Sequence, residues 1–434
     1  MARVARIASY AAVLKPLALP ALLALSLAGA AQAQEADVRR LTASAPFRAA
    51  IAQLARDHDR TVSDTIALTE IPAPPFKEAA RAKAYMEMLR AHGLSDVEMD
   101  AEGNVMGLRR GTGPAGGPVV VVAAHLDTVF PDGEIKVRRE GLRLHAPGIG
   151  DNSHSLAVLL AYVRALDAAG IRTKRDILFV GDVGEEGPGD LRGIRALFAK
   201  GRYKDRIGAF FAMDGLDPSR IVNTAVGSRR YRVTFRGPGG HSYGAFGLVN
   251  PMAAMATTVV EMNRIAAPRE PRTTYATSVV GGGTSVNAIP EAVWLEVDMR
   301  SESAAELASL DSRFLEIVKA AVAAENVARS TREGEVRAEV AQIGDRPAGV
   351  TPEAAAIVRT AKAAVVAAGY APVLASGSTD ANLPISLGIP AVTIGAGGLG
   401  GRAHAPDEWI ELDPAQTARG QSVGLAAVLT MADQ

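Results

Sequence analysis

The chain has 434 residues, with 47 basic and 47 acidic side chains and therefore no formal net charge; 48% is hydrophobic and 22% charged. This length allows two or three domains with a large core, and the composition excludes a disordered chain. Balanced charge gives no electrostatic reason to expect nucleic acid or an anionic membrane as partner, and the absence of cysteine excludes disulfides, thiolate metal sites and cysteine nucleophiles.

Residues 1–33 read as a secretory signal peptide. Arg3, Arg6 and Lys15 precede an apolar run from Leu17 to Ala31, which closes in the small-x-small pattern Ala31-Gln32-Ala33. The run is shorter than the roughly 20 residues that a spanning helix needs. A retained N-terminal anchor is the alternative. Cleavage would leave a chain beginning near Gln34, without a membrane span, in the periplasm or secreted.

From about residue 45, strand and helix patterns alternate. Ala82, Tyr85, Met86 and Leu89 fall on helical spacing and predict a helix from Ala79 to His92. Residues 118–124 form a continuous apolar run, as in a strand buried on both faces. A helix follows from Ser155 to Ala169, closed by Gly170, and residues 176–180 and 209–213 are two more buried strands. Helical sequence separates them, so they belong to βαβ units in a largely parallel sheet.

Near Gly227 the pattern becomes polar–apolar alternation. Strands at 230–236, 274–280, 293–300 and 335–343, with helices after Asn250-Pro251 and from about Ala304 to Ala324, give the order β-α-β-β-α-β. Thr351-Pro352-Glu353 starts another helix, residues 391–394 form a buried strand, and Asp413-Pro414 starts the last helix. The expected fold is therefore α/β: one domain in two parts, 34–226 and 344–434, interrupted by a ferredoxin-like α+β insertion at 227–343.

The chemistry-bearing residues gather at strand ends. The first buried strand runs into His125-Leu126-Asp127, the second into Glu185-Glu186-Gly187, and the third into Asp214-Gly215. Ligand sites in open α/β sheets collect at such carboxyl ends. A lone His-x-Asp is weak evidence, but the adjacent carboxylates Glu185 and Glu186 repel one another unless a cation lies near. Asp151 lies in the glycine-rich turn Gly148-Ile149-Gly150-Asp151-Asn152-Ser153, and His404 lies in Arg402-Ala403-His404-Ala405-Pro406-Asp407-Glu408. Oxygen and nitrogen donors without thiolate favour zinc, with cobalt or manganese as substitutes.

With these motifs the sequence resembles the dizinc metallopeptidases that include peptidase T, carboxypeptidase G and succinyl-diaminopimelate desuccinylase. The resemblance runs from Glu70-Ile71-Pro72-Ala73-Pro74 through Gly103-Asn104-Val105 to the His404–Glu408 segment. It implies two Zn(2+) per chain, one held by His125 and Asp214 and the other by Glu186 and His404, with Asp151 bridging. It further implies that Asp127 orients His125 and that Glu185 is the general base. Three carboxylates and a bridging hydroxide would neutralise the four positive charges, and two ions roughly 3.5–4 Å apart would acidify a shared water.

After Asp151 the family often has Asp-x-Lys-x-Gly, whereas this chain has Asp151-Asn152-Ser153-His154-Ser155. The resemblance implies a cis Asp151–Asn152 peptide. His154 is extra and reads as a solvated or helix-capping histidine; His58, His92 and His145 carry no functional signal. In the insertion, Gly237-Pro238-Gly239-Gly240-His241-Ser242 matches the place of an oxyanion-stabilising histidine, which in dimeric relatives comes from the partner subunit. By the same resemblance Asn287 contacts substrate, Arg300 grips a substrate carboxylate, and Thr379 in Ser376-Gly377-Ser378-Thr379-Asp380 faces the substrate. The insertion would act as a lid or a homodimer contact.

The expected function is hydrolysis of an amide bond in a small peptide or an N-acyl amino acid. The Asp-Asn pair also suits a lidless zinc aminopeptidase of the leucyl aminopeptidase type, against which the long insertion weighs. An N-carbamoyl or N-acyl amidohydrolase differs only in the bond cleaved. A catalytically dead binding protein would be expected to lose ligands or Glu185, yet all of them are present.

Overall fold

In a computed structural model, residues 34–434 are described; the expected signal segment, 1–33, lies outside them. A nine-stranded sheet forms the body. Its centre is four parallel strands in the order Asp176–Asp182, Val119–His125, Ile207–Met213 and Ala391–Ile394. Alternate residues of each strand enter opposite cores, so the interior positions are almost all apolar. Val120, Val122 and Ala124 pack against the helices His154–Ala168 and Pro414–Ala432. Val119, Val121 and Ala123 face the core that contains Ile194 and Leu197 of the helix Arg192–Ala199. This period-two division between two covered faces is what the uninterrupted apolar runs encode.

The sheet is mixed, parallel at its centre as expected and antiparallel on its flanks. Ser95–Met99 and Val105–Arg109 form an antiparallel pair on one flank, and Arg220–Ala225 runs antiparallel to Ala391–Ile394 on the other. The first pair is joined by a short turn, which permits only antiparallel return. Two helices before it, Ala45–Arg56 and His58–Thr69, pack beside His154–Ala168.

Between Gly227 and Arg346 the chain builds a separate four-stranded antiparallel sheet, in the order Thr273–Gly282, Ala292–Ser301, Gly227–Arg236, Arg337–Arg346. This is the order of a ferredoxin-like β-α-β-β-α-β unit. The helices Pro251–Met262 and Ala304–Ala328 cover one face, where Val233, Phe235, Leu295 and Val297 meet Met255, Leu310 and Phe314. Asn250 caps the first helix through its side chain, 2.9 Å from the Met252 N–H. No helix among the described residues is long and apolar enough to cross a membrane.

Candidate metal centre

Because Asp176–Asp182, Val119–His125 and Ile207–Met213 run parallel and adjacent, their carboxyl ends deliver the Glu185-Glu186 pair, His125 and Asp214 to one edge. The turn before the helix His154–Ala168 adds Asp151, and the loop after Ala391–Ile394 adds His404. Nε2 of His125 lies 3.0 Å from Asp151 Oδ1. Nε2 of His404 lies 3.1 Å from the other oxygen, Asp151 Oδ2, and 3.1 Å from Glu186 Oε1. Asp151 thus offers one oxygen to each half of the site. Donor atoms within 4.8 Å of one another form the groups His125–Asp151–Asp214, Asp151–Glu186–His404 and His125–Glu185–Glu186.

Two buried carboxylates hold the segments that carry these donors. Asp127 accepts the main-chain N–H of Glu185 at 3.0 Å and of Glu186 at 2.8 Å. Its carboxylate is therefore already engaged and stays 3.7 Å from Nδ1 of His125, which instead donates to the Asp127 main-chain oxygen at 3.0 Å. That bond leaves Nε2, the nitrogen facing Asp151, as the one available to a cation. So it is the Asp127 carbonyl that orients His125, while the carboxylate braces the glutamate pair.

Glu408 does the same for Asp151. Its carboxylate accepts from the N–H groups of Gly148 and Gly150 at 2.8 Å each and of Asp151 at 2.9 Å. A Cβ on Gly150 would sit 2.9 Å from the Glu408 carboxylate, which is why the turn needs glycine there. The Asp151–Asn152 peptide is cis. Asn152 donates from Nδ2 to the Met213 carbonyl at 2.9 Å, tying the turn to the strand end that bears Asp214.

The charges are unbalanced without a cation. Burial pushes the Glu185 carboxyl up to about 8, against the pull of Arg346 and His125. Burial and the charge of Asp151 push Asp214 up to about 6. Hydrogen bonds that His404 donates to the Asp151 and Glu186 carboxylates raise it to about 10. Asp151 goes the other way: against burial, hydrogen bonds from His125 and His404 hold its carboxyl below the usual carboxylate range. Three carboxylates and two imidazoles without sulfur fit hard to borderline divalent ions.

The remaining expected residues lie elsewhere or point elsewhere. His241 and Asn287 are exposed and lie on the paired segments Gly240–His241 and Ala288–Ile289 and the turn beside them. Nδ1 of His241 accepts the N–H groups of Tyr243 and Gly244 at 3.2 and 3.3 Å, so a neutral ring carries its proton on Nε2. Arg300 is paired with Asp298 at 2.7 Å within the insertion sheet. Thr379, expected to face substrate, is buried, with its hydroxyl 2.6 Å from that of Thr393. His154, expected at the surface or as a cap, is fully buried; Nε2 donates to the Gly397 carbonyl at 3.1 Å and Nδ1 faces the Thr65 hydroxyl at 3.2 Å.

Sequence reasoning missed Arg346, which is 4% exposed and 2.8 Å from Glu185 Oε1. No local pattern signals this contact, because the partners are 161 residues apart. It also assigned no task to Glu408, whose position four residues after His404 was the available clue. A cavity of about 490 Å³ opens beside Asp151 and Asp214, with Leu216, Arg220 and Trp409 in its wall. A larger one, about 710 Å³, lies at Arg39 and the helix Ala356–Ala367 and touches none of these groups.

A family model described as peptidase family M20/M25/M40 matches residues 121–429. Among solved structures, the aminopeptidase PepT from Bacillus cereus superposes with a TM-score of 0.69 at 22% identity, covering 87% of this chain and 99% of that one. A dinuclear metal binding peptidase from Bacillus subtilis gives 0.61 at 18%, covering 86% and 99%. A hydantoinase/carbamoylase-family amidase from Burkholderia vietnamiensis gives 0.63 at 21%, covering 87% and 98%. At these identities the superpositions establish the shared fold.

Proposed function

The chain belongs to peptidase family M20/M25/M40 and is a metal-dependent hydrolase; on that premise we propose that it is an exported dinuclear zinc enzyme cleaving an amide bond in small peptides or N-acyl amino acids. The observation that carries this reading is the convergence of donors from separate segments into two groups that share Asp151. His125 and Asp214 would hold one ion, and Glu186 and His404 the other. The description of the Bacillus subtilis relative as dinuclear supports the count. Cobalt or manganese would substitute for zinc with the same donor set.

When bound, the ions supply Lewis acidity toward the scissile carbonyl and acidify the attacking water. The chain's residues do the rest. Glu185 stands beside the donors without being needed as one, takes a proton from the attacking water, and returns it to the departing amine. Asp127 and Glu408 keep the glutamate pair and Asp151 fixed. His241, with its proton on Nε2, is the group assigned to the oxyanion, reaching the centre when the insertion closes or from a homodimer partner. Residues 34–226 and 344–434 then form the catalytic unit and 227–343 the lid or dimer contact, whose last strand runs on across that boundary to Arg346, with the segment 1–33 directing export to the periplasm or beyond.

A second reading keeps the centre and changes the bond to an N-carbamoyl group, favoured by the likeness to the hydantoinase/carbamoylase amidase. The experiment is a mass-spectrometric panel of dipeptides, tripeptides, N-acyl and N-carbamoyl amino acids, incubated with metal-loaded protein with and without chelator. The proposal expects chelator-sensitive cleavage of peptides or N-acyl amino acids. Cleavage of N-carbamoyl substrates alone would establish the second reading, and no cleavage by metal-loaded protein would refute both.

A further inference from the structure

Arg346 is the last residue of the insertion's final strand, Arg337–Arg346, and it reaches into the centre. Its Nη1 donates to Glu185 Oε1 at 2.8 Å and to the Ser378 hydroxyl at 3.0 Å, and its Nη2 donates to the Glu185 carbonyl. One guanidinium therefore holds both the side chain and the main chain of Glu185. The planar fork suits that double grip, which a lysine ammonium cannot reproduce. Glu185 is only 5% exposed, so this bond sets where its carboxylate can point.

The neighbouring residue anchors the same strand end to the segment following the glutamate pair. The Asp345 N–H donates to Asp190 Oδ1 at 3.0 Å, and Arg195 donates to the Asp345 carbonyl. Arg230, on the adjacent strand, reaches the Gly187 carbonyl at 3.4 Å. The root of the insertion is thus fastened to the loop Glu185–Asp190 at several points, and Arg346 is the one that ends on a carboxylate the reaction uses.

We propose that Arg346 is a positioning residue that aims the Glu185 carboxylate and couples its placement to the root of the insertion. The proposal rests on Glu185 being the base and adds the group that holds it in place. Removing the guanidinium leaves Glu185 free to take other rotamers while the proposed ion-binding donors keep their own supports, Asp127 and Glu408. Turnover should fall while metal content and substrate affinity persist.

The test uses the full metal-loaded chain and its best substrate from the panel above, with Arg346→Ala, Arg346→Lys, Glu185→Gln and the double variant Arg346→Ala/Glu185→Gln. Arg346→Ala should lose about a hundredfold in kcat, the scale of a misplaced catalytic group, with KM and bound metal unchanged, and added non-denaturing guanidinium should restore part of the loss. Arg346→Lys should recover little. The double variant should be no slower than Glu185→Gln alone, because the two residues act as one unit. A raised KM at normal kcat would make Arg346 a substrate-binding group and overturn the proposal, as would metal loss, normal kcat or additive losses. If Arg346→Ala does not fold, the kcat, KM and metal content of Arg346→Lys decide by the same criteria. Near-normal turnover in Glu185→Gln would instead refute the base assignment, which separates that failure from this one.

Discussion

Glu408 accepts three main-chain N–H bonds from the turn that presents Asp151, using both carboxylate oxygens. Glu408→Gln replaces one of those acceptors by an amide donor that faces the same N–H groups. Metal affinity should fall about tenfold to a hundredfold, the usual effect of losing a group that orients a ligand, with the fold retained; a metal titration followed by circular dichroism checks both parts. His154 makes a separate prediction about stability. Burial draws its pKa down to about 4, with the Gly397 carbonyl opposing and nearby His58 assisting, whereas an unfolded histidine titrates near 6.5. As pH falls, the unfolded chain therefore takes the proton first. The stability from neutral His154 is complete above about pH 6.5 and is lost between about 6.5 and 4, on the order of 3 kcal/mol in all. Unfolding of wild type and His154→Gln across that range should show a steeper loss in the wild type; parallel curves would contradict the assignment. The sequence could not place this histidine inside, because its partners come from residues 65 and 397.

Asn104 shows how an element's position depends on one side chain. It accepts the Val183 N–H at 3.1 Å and donates to the Gly193 carbonyl and to Asp100 at 2.8 Å each, joining the start of strand Val105–Arg109 to the flanks of the glutamate loop. Asn104→Ala leaves the buried Val183 N–H without its acceptor, which costs about 1–3 kcal/mol for such a group. Thermal unfolding should show a lowered Tm, and an unchanged Tm would mean that another group satisfies this N–H. At this scale much was legible. Residues 118–124, 176–180 and 209–213 carry their apolar character through both faces, and the insertion strands alternate because only one face is covered by helices. The antiparallel flanks were not legible, since direction follows from turn length and pairing rather than from apolar pattern. Three-residue strands such as Arg138–Glu140 and Leu399–Gly401 are too short to express any period. Arg346 stayed hidden for a similar reason: its neighbours in sequence say nothing of Glu185.

Across the whole molecule, the parallel centre of the sheet brings separate strand ends to one edge, a glycine turn and a late loop complete the donor set, and an inserted unit is rooted against the glutamate loop. None of the proposed donors His125, Asp151, Glu186, Asp214 and His404 lies next to another in sequence, so the site exists only in the folded chain, and metal held there would stabilise the fold. On the proposed function, these donors hold two ions on which hydrolysis depends. The most direct measurement strips the purified protein with chelator, adds zinc back in steps, and follows bound metal and substrate hydrolysis together. A dinuclear centre gives no turnover in the stripped protein and full turnover as binding reaches about two equivalents per chain. Full hydrolytic activity in protein carrying no transition metal would contradict it.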